Sequence, residues 1–206
     1  MKKILFFVSF FVTTAAYSQE PLWYGSLDAS HTRFKSSSGE KPYTFVNPFV
    51  SKTFGTGNWG VFLEGSFEPD ASSVSPGVLY AKQVWSTYHE IGIGPGFEFS
   101  KGGNVTFLNS YYFLETKADE PRAKNKLMIN ANYSYAKTWG NWWLGYAVYY
   151  PFNQSIGIGI HSQRYGVTGP RLQYSFCCDK VRKILWLAGW GNGVSIGATL
   201  AVQSKK

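Results

Sequence analysis

The segment HEIGIGPGFEF, residues 89–99, alternates between two kinds of side chain. Ile91, Ile93, Phe97 and Phe99 occupy one set of alternate positions. The other set, positions 90, 92, 94, 96 and 98, holds only glutamate or glycine. Successive side chains of a β-strand point to opposite faces, so this spacing predicts a strand with one apolar face and one small or polar face. An amphipathic helix would instead place its apolar residues three or four positions apart.

The same two-residue period recurs through most of the chain, most clearly in residues 59–67, 127–135, 154–161 and 169–176. It predicts an antiparallel protein built almost entirely of strands. The predicted strands are 22–34, 42–54, 59–67, 78–86, 89–99, 105–116, 126–137, 142–150, 154–163, 168–176, 184–190 and 193–202.

Connections of two kinds separate these segments. Four are short and end in asparagine after a glycine-containing run: 55–58, 101–104, 138–141 and 189–192. Glycine and asparagine tolerate positive φ, so each run can close a hairpin. Three longer connections are predicted at 36–41, 68–77 and 117–126. If all four short turns lie at one end of the sheet, residues 78–99 should cross it only once. The predicted strand number is therefore left at ten or twelve.

An uncharged stretch, residues 184–201, could be taken for a membrane-spanning helix. It contains four glycines and Asn192, and each glycine costs about 1 kcal/mol relative to alanine in a helix interior. A hairpin around Gly191 and Asn192 is the better interpretation.

The composition is rich in aromatic residues, at 18%, and poor in charged ones, at 16%, against about 25% charged residues in typical globular chains. The formal net charge is +8, but the cations are scattered along the sequence. A scattered excess is typical of solvated surface, so nucleic acid is not an expected partner.

The first residues have the layout of a secretory signal peptide. Lys2 and Lys3 precede an uncharged, mostly apolar run that ends at Ala16, and Ser18 provides a small residue before a cut. We therefore predict a signal peptide at 1–18 and a single domain at 19–206. A membrane-anchoring helix is the alternative, but the apolar run is short of the ~20 residues that span a bilayer.

Together, the signal, the period-two strands of about nine to thirteen residues, the short turns and the abundant aromatic residues resemble small outer-membrane β-barrel proteins of Gram-negative bacteria. The resemblance is to the class and to no particular family. It implies an all-β, antiparallel up-and-down transmembrane barrel of ten or twelve strands, with apolar side chains facing lipid and polar ones facing the lumen. It also implies an outer-membrane location and insertion by the barrel-assembly machinery. A soluble periplasmic β-sandwich or lipocalin-like binding protein is the alternative.

No cofactor or metal site is expected. The glycines at 92, 94 and 96 lie in a predicted strand with no phosphate-binding helix after them. Cys177 and Cys178 are too few for a structural zinc, and we interpret them as a turn feature, with an intermolecular disulfide as the alternative. His161 and Ser162 are neighbours on a strand and so face opposite sides, which argues against a catalytic pair. We predict no catalytic residues, and a lipid-modifying enzyme remains a minor alternative.

The alternation of side chains along each strand places nine polar residues on the face that would line the lumen. They are the candidate pore-lining residues: Asp28, Glu64, Glu90, Glu98, Asn130, Asn132, His161, Arg171 and Gln173. They favour a narrow channel or porin for small polar solutes. The alternative is a structural or adhesive barrel whose lumen is filled, with Arg171 paired to carboxylates and the segments 68–77 and 117–126 displayed outside.

Overall fold

The alternating segments of the sequence pair edge to edge in a computed structural model, and the sheet closes on itself as a twelve-stranded antiparallel barrel. The structure describes residues 23–35, 41–54, 58–69, 71–100, 103–117, 124–138, 140–152, 155–164, 166–177, 181–189 and 191–203. The strands are β1 (Trp23–Phe34), β2 (Tyr43–Thr53), β3 (Trp59–Phe67), β4 (Ala71–Val84), β5 (Thr87–Ser100), β6 (Gly103–Glu115), β7 (Lys126–Ala136), β8 (Gly140–Tyr150), β9 (Ile156–Gln163), β10 (Gly169–Cys177), β11 (Val181–Ala188) and β12 (Gly193–Gln203).

Each strand pairs with its neighbours in sequence, and β1 pairs with β12 to close the barrel. The closing register runs from Tyr24 opposite Gln203 to Phe34 opposite Gly193. Closure leaves no free strand edge, so the backbone hydrogen bonds of the wall are satisfied within the sheet. We call the end of the barrel at Trp23 and Gln203 the terminal rim, and the end at Phe34 and Gly193 the distal rim.

Apolar side chains and small or polar side chains lie on opposite faces of the strands, as the alternation predicts. Along β5, Ile91, Ile93, Phe97 and Phe99 are exposed on the outside, whereas the glycines between them are buried inside. The same division holds for most Leu, Ile and Val residues on β9 to β12, with Ile184 on β11 as a buried exception. An apolar outer surface around a polar interior is the organisation of a transmembrane barrel, and it is the reverse of a soluble sandwich. The barrel prediction is confirmed, with twelve strands.

The interpretation of residues 68–77 as a long connection is wrong. β4 begins at Ala71, and Ser72 already pairs with Phe67 of β3. The segment Ala71–Gly77 is composed of Ala, Ser, Val, Pro and Gly, and its Ser, Pro and Gly are typical of loops. Here Ser73, Ser75 and Gly77 take inward positions, and small side chains suit a crowded lumen.

The four short turns that end in asparagine do not all lie at one end of the barrel. Three strands, β3, β4 and β5, lie between the first turn and the second, so the β2–β3 connection is at the opposite end, the terminal rim. The β5–β6, β7–β8 and β11–β12 connections are at the distal rim. For the same reason, the predicted loops 68–77 and 117–126 are at opposite rims and cannot be displayed together.

The uncharged stretch 184–201 forms the hairpin of β11 and β12, as predicted. Within the described residues, no helix has the length and hydropathy needed to cross a membrane. The predicted signal peptide, 1–18, and Cys178 lie outside the described residues, and Cys177 ends β10.

Candidate functional site

The nine candidate pore-lining residues all lie at inward positions of their strands. Glu64, Glu90, His161, Arg171 and Gln173 are buried in the lumen, and Asp28, Glu98, Asn130 and Asn132 are partly buried. The structure brings them together in separate groups: Glu64 with Asn132, and Arg171 with His161 and Gln173. Glu98 lies on the inward face towards the distal rim.

The distal half of the lumen contains a cavity of about 430 Å³, which we call the vestibule. Its lining combines carboxylates, amides, serines and aromatic rings. The lining residues are Tyr43, Phe45, Asn47, Glu64, Ser66, Glu68, Ala71, Ser72, Ser73, Ser75, Glu98, Phe107, Asn109, Ser134, Trp142, Gln163 and Arg164. A cavity of this size and mixed lining is within the range of small-molecule sites.

The vestibule floor is built around the carboxylate of Glu64. Asn47 and Asn132 donate to its Oε1 at 3.0 and 3.1 Å, and Asn109 donates to its Oε2 at 2.7 Å. The donors come from β2, β6 and β7. The carboxylate on β3 is therefore linked to β6 and β7, which are not its neighbours in the sheet. Three amide donors hold the carboxylate in one orientation.

Asn47 also supplies a hydrogen bond where the backbone pairing of β2 with β3 is interrupted. The next residue, Pro48, has no N–H, and the β2–β3 ladder is interrupted between Val46–Phe67 and Phe49–Glu64. Nδ2 of Asn47 donates to the carbonyl oxygen of Gly65 at 2.7 Å, within this gap. One amide group therefore satisfies the backbone and the floor carboxylate together.

An aromatic cluster lies on the terminal side of the floor. The ring of Tyr111 on β6 contacts Phe62 on β3 and Phe49 on β2 edge-on, with centroids 4.9 and 5.2 Å apart. Its hydroxyl donates to Glu90 at 2.7 Å, and Tyr88 donates to the same carboxylate at 2.5 Å. Rings from β2, β3 and β6 thus meet inside the lumen and narrow it.

The opposite side of the lumen is organised by Arg171. Its guanidinium carbon lies 4.1 Å from the ring centroid of Tyr146 and 4.3 Å from that of Trp186. Nε donates to Oε1 of Gln173 at 3.0 Å, and Nη1 lies 3.4 Å from Nδ1 of His161. Among the described residues no ion pair joins Arg171 to a carboxylate. The predicted carboxylate partner is thus replaced by two aromatic faces, which attract a buried cation.

A third group lies towards the terminal rim. Glu115 Oε1 is 2.5 Å from Nζ of Lys126 and 3.7 Å from Nη1 of Arg182. Arg182 also donates to the hydroxyl of Tyr150 at 3.0 Å. Because Glu115 is on β6 and Arg182 on β11, this ion pair spans the lumen.

His161 and Ser162 lie on opposite faces of the wall. The ring of His161 stacks on Trp186, with centroids 5.6 Å apart, while Ser162 contacts Thr168. No cluster of metal-ligating side chains occurs in the part of the chain that the structure describes.

Sequence reasoning missed several lumenal residues, chiefly Asn109, Tyr111 and Trp142. On β6 the inward positions include Phe107, Asn109 and Tyr111, while the outward face includes serine and threonine. The two faces of this strand therefore do not differ in polarity, and the sequence does not indicate which of them points inward.

Replacing Arg171 with methionine is expected to lower the free energy of unfolding by roughly 3 kcal/mol, because a desolvated cation–π contact contributes about 2 kcal/mol and two rings are involved. The measurement is urea-induced unfolding of the protein folded in lipid vesicles. Arg33→Met, on the exposed outer side of β1, is the matched control. Equal unfolding midpoints for the two variants would contradict a stabilising role for Arg171.

The sequence matches no protein-family model and no curated protein sequence. Several solved structures are similar to the barrel at low identity. The KdgM porin, solved with and without disordered oligogalacturonate, has a TM-score of 0.49 and 12% identity over 88% of this chain and 99% of that chain.

The translocator domain of the autotransporter NalP from Neisseria meningitidis has a TM-score of 0.47 and 10% identity over 97% of this chain and 93% of its own. Outer membrane phospholipase A from Escherichia coli has a TM-score of 0.46 and 11% identity over 87% of this chain and 92% of its own. The fold itself rests on the strand pairing and the division of faces: the chain is a closed twelve-stranded antiparallel β-barrel with an apolar exterior and a polar vestibule.

Proposed function

We propose that the chain is a bacterial outer-membrane protein that admits small polar solutes into a narrow lumen through the vestibule. The observation that carries this proposal is the cavity of about 430 Å³ in the distal half of a barrel whose outer face is apolar. Carboxylates, amides and hydroxyls line the cavity, and such groups replace the hydration of a polar solute.

The proposal includes the route to the membrane. Residues 1–18 act as a cleaved signal peptide, and residues 19–206 form the single domain that the barrel-assembly machinery inserts into outer-membrane lipid. The apolar side chains on the outside of β5 and β9 to β12 support the contact with lipid. Mass analysis of the protein from the membrane fraction tests the cut, which we expect between Ser18 and Gln19.

Conductance tests the channel. Purified protein folded in detergent should migrate differently on a gel before and after boiling, and should then produce current steps in planar bilayers. We expect small steps, because rings from β2, β3 and β6 narrow the lumen, whereas barrels of sixteen or more strands leave an open channel. Boiled protein in the same detergent is the control, and folded protein that gives no more current than this control would contradict a channel.

The filled-lumen barrel is the second candidate. The observation that favours it is the set of contacts that cross the lumen, including the Glu115–Arg182 pair and the Phe62–Tyr111 contact. A barrel that is resistant to unfolding in the gel assay but does not conduct would support this role. Hydrolysis of phospholipid by the folded protein, abolished in His161→Ala, would instead support a lipid-modifying enzyme.

A further inference from the structure

We propose that the vestibule is a binding site for a small organic cation, such as a primary amine or a quaternary ammonium compound. This inference deepens the proposed function, because it names the chemical class of the solute that enters the lumen. It rests on three properties of the cavity: its charge, the position of its carboxylates and its aromatic side.

The charged groups of the vestibule are mostly acidic. Among the described residues that line it are three carboxylates, Glu64, Glu68 and Glu98, and one cation, Arg164. The guanidinium of Arg164 is itself engaged, because Nη1 donates to the carbonyl oxygen of Asn141 and Cζ lies 5.6 Å from the ring centroid of Trp143. The described lining of the cavity therefore contains more carboxylates than cations.

Glu64 is the most deeply placed of these carboxylates, with 8% of its surface exposed. The donors that hold it are neutral amides, and within the described ranges no lysine or arginine forms an ion pair with it. A buried carboxylate is usually paired with a cation. A positively charged solute on the vestibule floor would supply that partner.

Glu68 and Glu98 lie on the same side of the cavity, towards the distal rim. Burial, and secondly the negative charge of Glu98, raise the pKa of Glu68 above its ordinary value. The two carboxylates are thus close enough to repel each other, and a cation between them would relieve the repulsion.

The aromatic side of the cavity determines which kind of cation fits. Phe45 on β2 and Trp142 on β8 approach each other across the lumen, with ring centroids 6.5 Å apart, and Tyr43 lies on the same side. Ring faces attract ammonium groups and bind their alkyl substituents. Calcium and magnesium instead require several oxygen ligands at about 2.0–2.6 Å. Rings facing carboxylates therefore favour an organic cation.

Binding can be measured without conductance, on the full-length mature protein folded in detergent. We would titrate choline and putrescine, with glucose and galacturonate as neutral and anionic comparisons at constant ionic strength, and follow calorimetric heat. Choline and putrescine should bind, and the other two should not. The double variant Glu68→Gln with Glu98→Gln should weaken cation binding about tenfold, because it removes two charges from the site.

Two matched controls separate the site from the rest of the barrel. Trp142→Leu should weaken choline binding, whereas Trp59→Leu, on the exposed outer surface, should not. Glu115→Gln removes a lumenal carboxylate outside the vestibule and should also leave binding unchanged. The gel-mobility assay on each variant verifies that the barrel has folded.

The pH dependence gives an independent readout. The described titratable and charged groups that line the vestibule with Glu68 are Glu64 on β3, Glu98 on β5, Tyr43 on β2 and Arg164 after β9. Cation binding needs ionised carboxylates, so it should weaken as the pH falls. Because the pKa of Glu68 is raised from 4.5, the loss should begin above that pH.

The outcomes distinguish this inference from the proposed function. Choline binding without any conductance would support the site and overturn the channel. Conductance with no cation binding, or glucose binding that is insensitive to the two Glu→Gln changes, would overturn the cation site and leave the channel standing.

Discussion

Replacing Gly159 with alanine is expected to prevent most of the protein from folding into a barrel. A Cβ atom at this position of β9 would lie 1.9 Å from the carbonyl oxygen of Ala147 and 2.9 Å from Cα of Val148. Both are backbone atoms of β8, so the wall itself would have to move. Overpacking of side chains alone costs about 1–3 kcal/mol, and a required shift of paired backbone should cost roughly 3 kcal/mol or more. The yield of heat-resistant barrel after refolding is the measurement.

Gly25→Ala is the matched control. Gly25 also lies within a strand, β1, on the same face as the exposed Leu27, but its added Cβ would meet only the carbonyl oxygen of Phe49 at 3.8 Å, an ordinary contact. This variant should refold as well as the parent, or slightly better, because alanine has fewer unfolded conformations than glycine. If the two variants refold with equal yield, the close approach of β8 and β9 at Gly159 is not a requirement of the fold.

Removing the rings of Phe62 and Tyr111 together is expected to increase the unit conductance several-fold. These side chains reach each other across the lumen, with centroids 4.9 Å apart, although β4 and β5 separate their strands in the wall. In Phe62→Ala with Tyr111→Ala, the space that they occupy becomes available to water and ions. The backbone ladder of the wall is unchanged, so the barrel should still close. Single-channel recording in planar bilayers provides the measurement.

The control for this pair removes the same two side-chain types from the outside of the wall. Phe97 and Tyr133 are both exposed on the outer face, and Phe97→Ala with Tyr133→Ala should leave the unit conductance unchanged. An unchanged conductance in the lumenal variant as well would show that the narrowest part of the path lies elsewhere. The Glu115–Arg182 pair towards the terminal rim would then be the next position to test.

The sequence was most informative where the two faces of a strand differ in polarity. On β5, apolar residues alternate with glycine and glutamate, and both the strand and the orientation of Glu90 and Glu98 could be predicted. On β6 both faces mix aromatic and polar residues, so Asn109 and Tyr111 were missed. The start of β4 was missed because small inward residues and Pro76 resemble a loop.

The partners of the lumenal side chains could not be predicted from the alternation. Alternation indicates that Glu64 faces inward, but its amide donors come from β2, β6 and β7. Which residues meet across a lumen depends on strand tilt and on the shape of the cross-section, and these are properties of the closed barrel. The vestibule, Trp142 included, therefore emerged only from the three-dimensional arrangement.

The division of each strand into an outer and an inner set of positions also affects how such a chain can change over time. The outer set, together with the backbone ladder, determines membrane insertion and closure, while the inner set determines what fills the barrel. Apart from glycines at close strand contacts, such as Gly159, substitutions in one set have little reason to constrain the other. Descendants of one gene could thus keep the same shell while their interiors diverge from plug to pore to receptor.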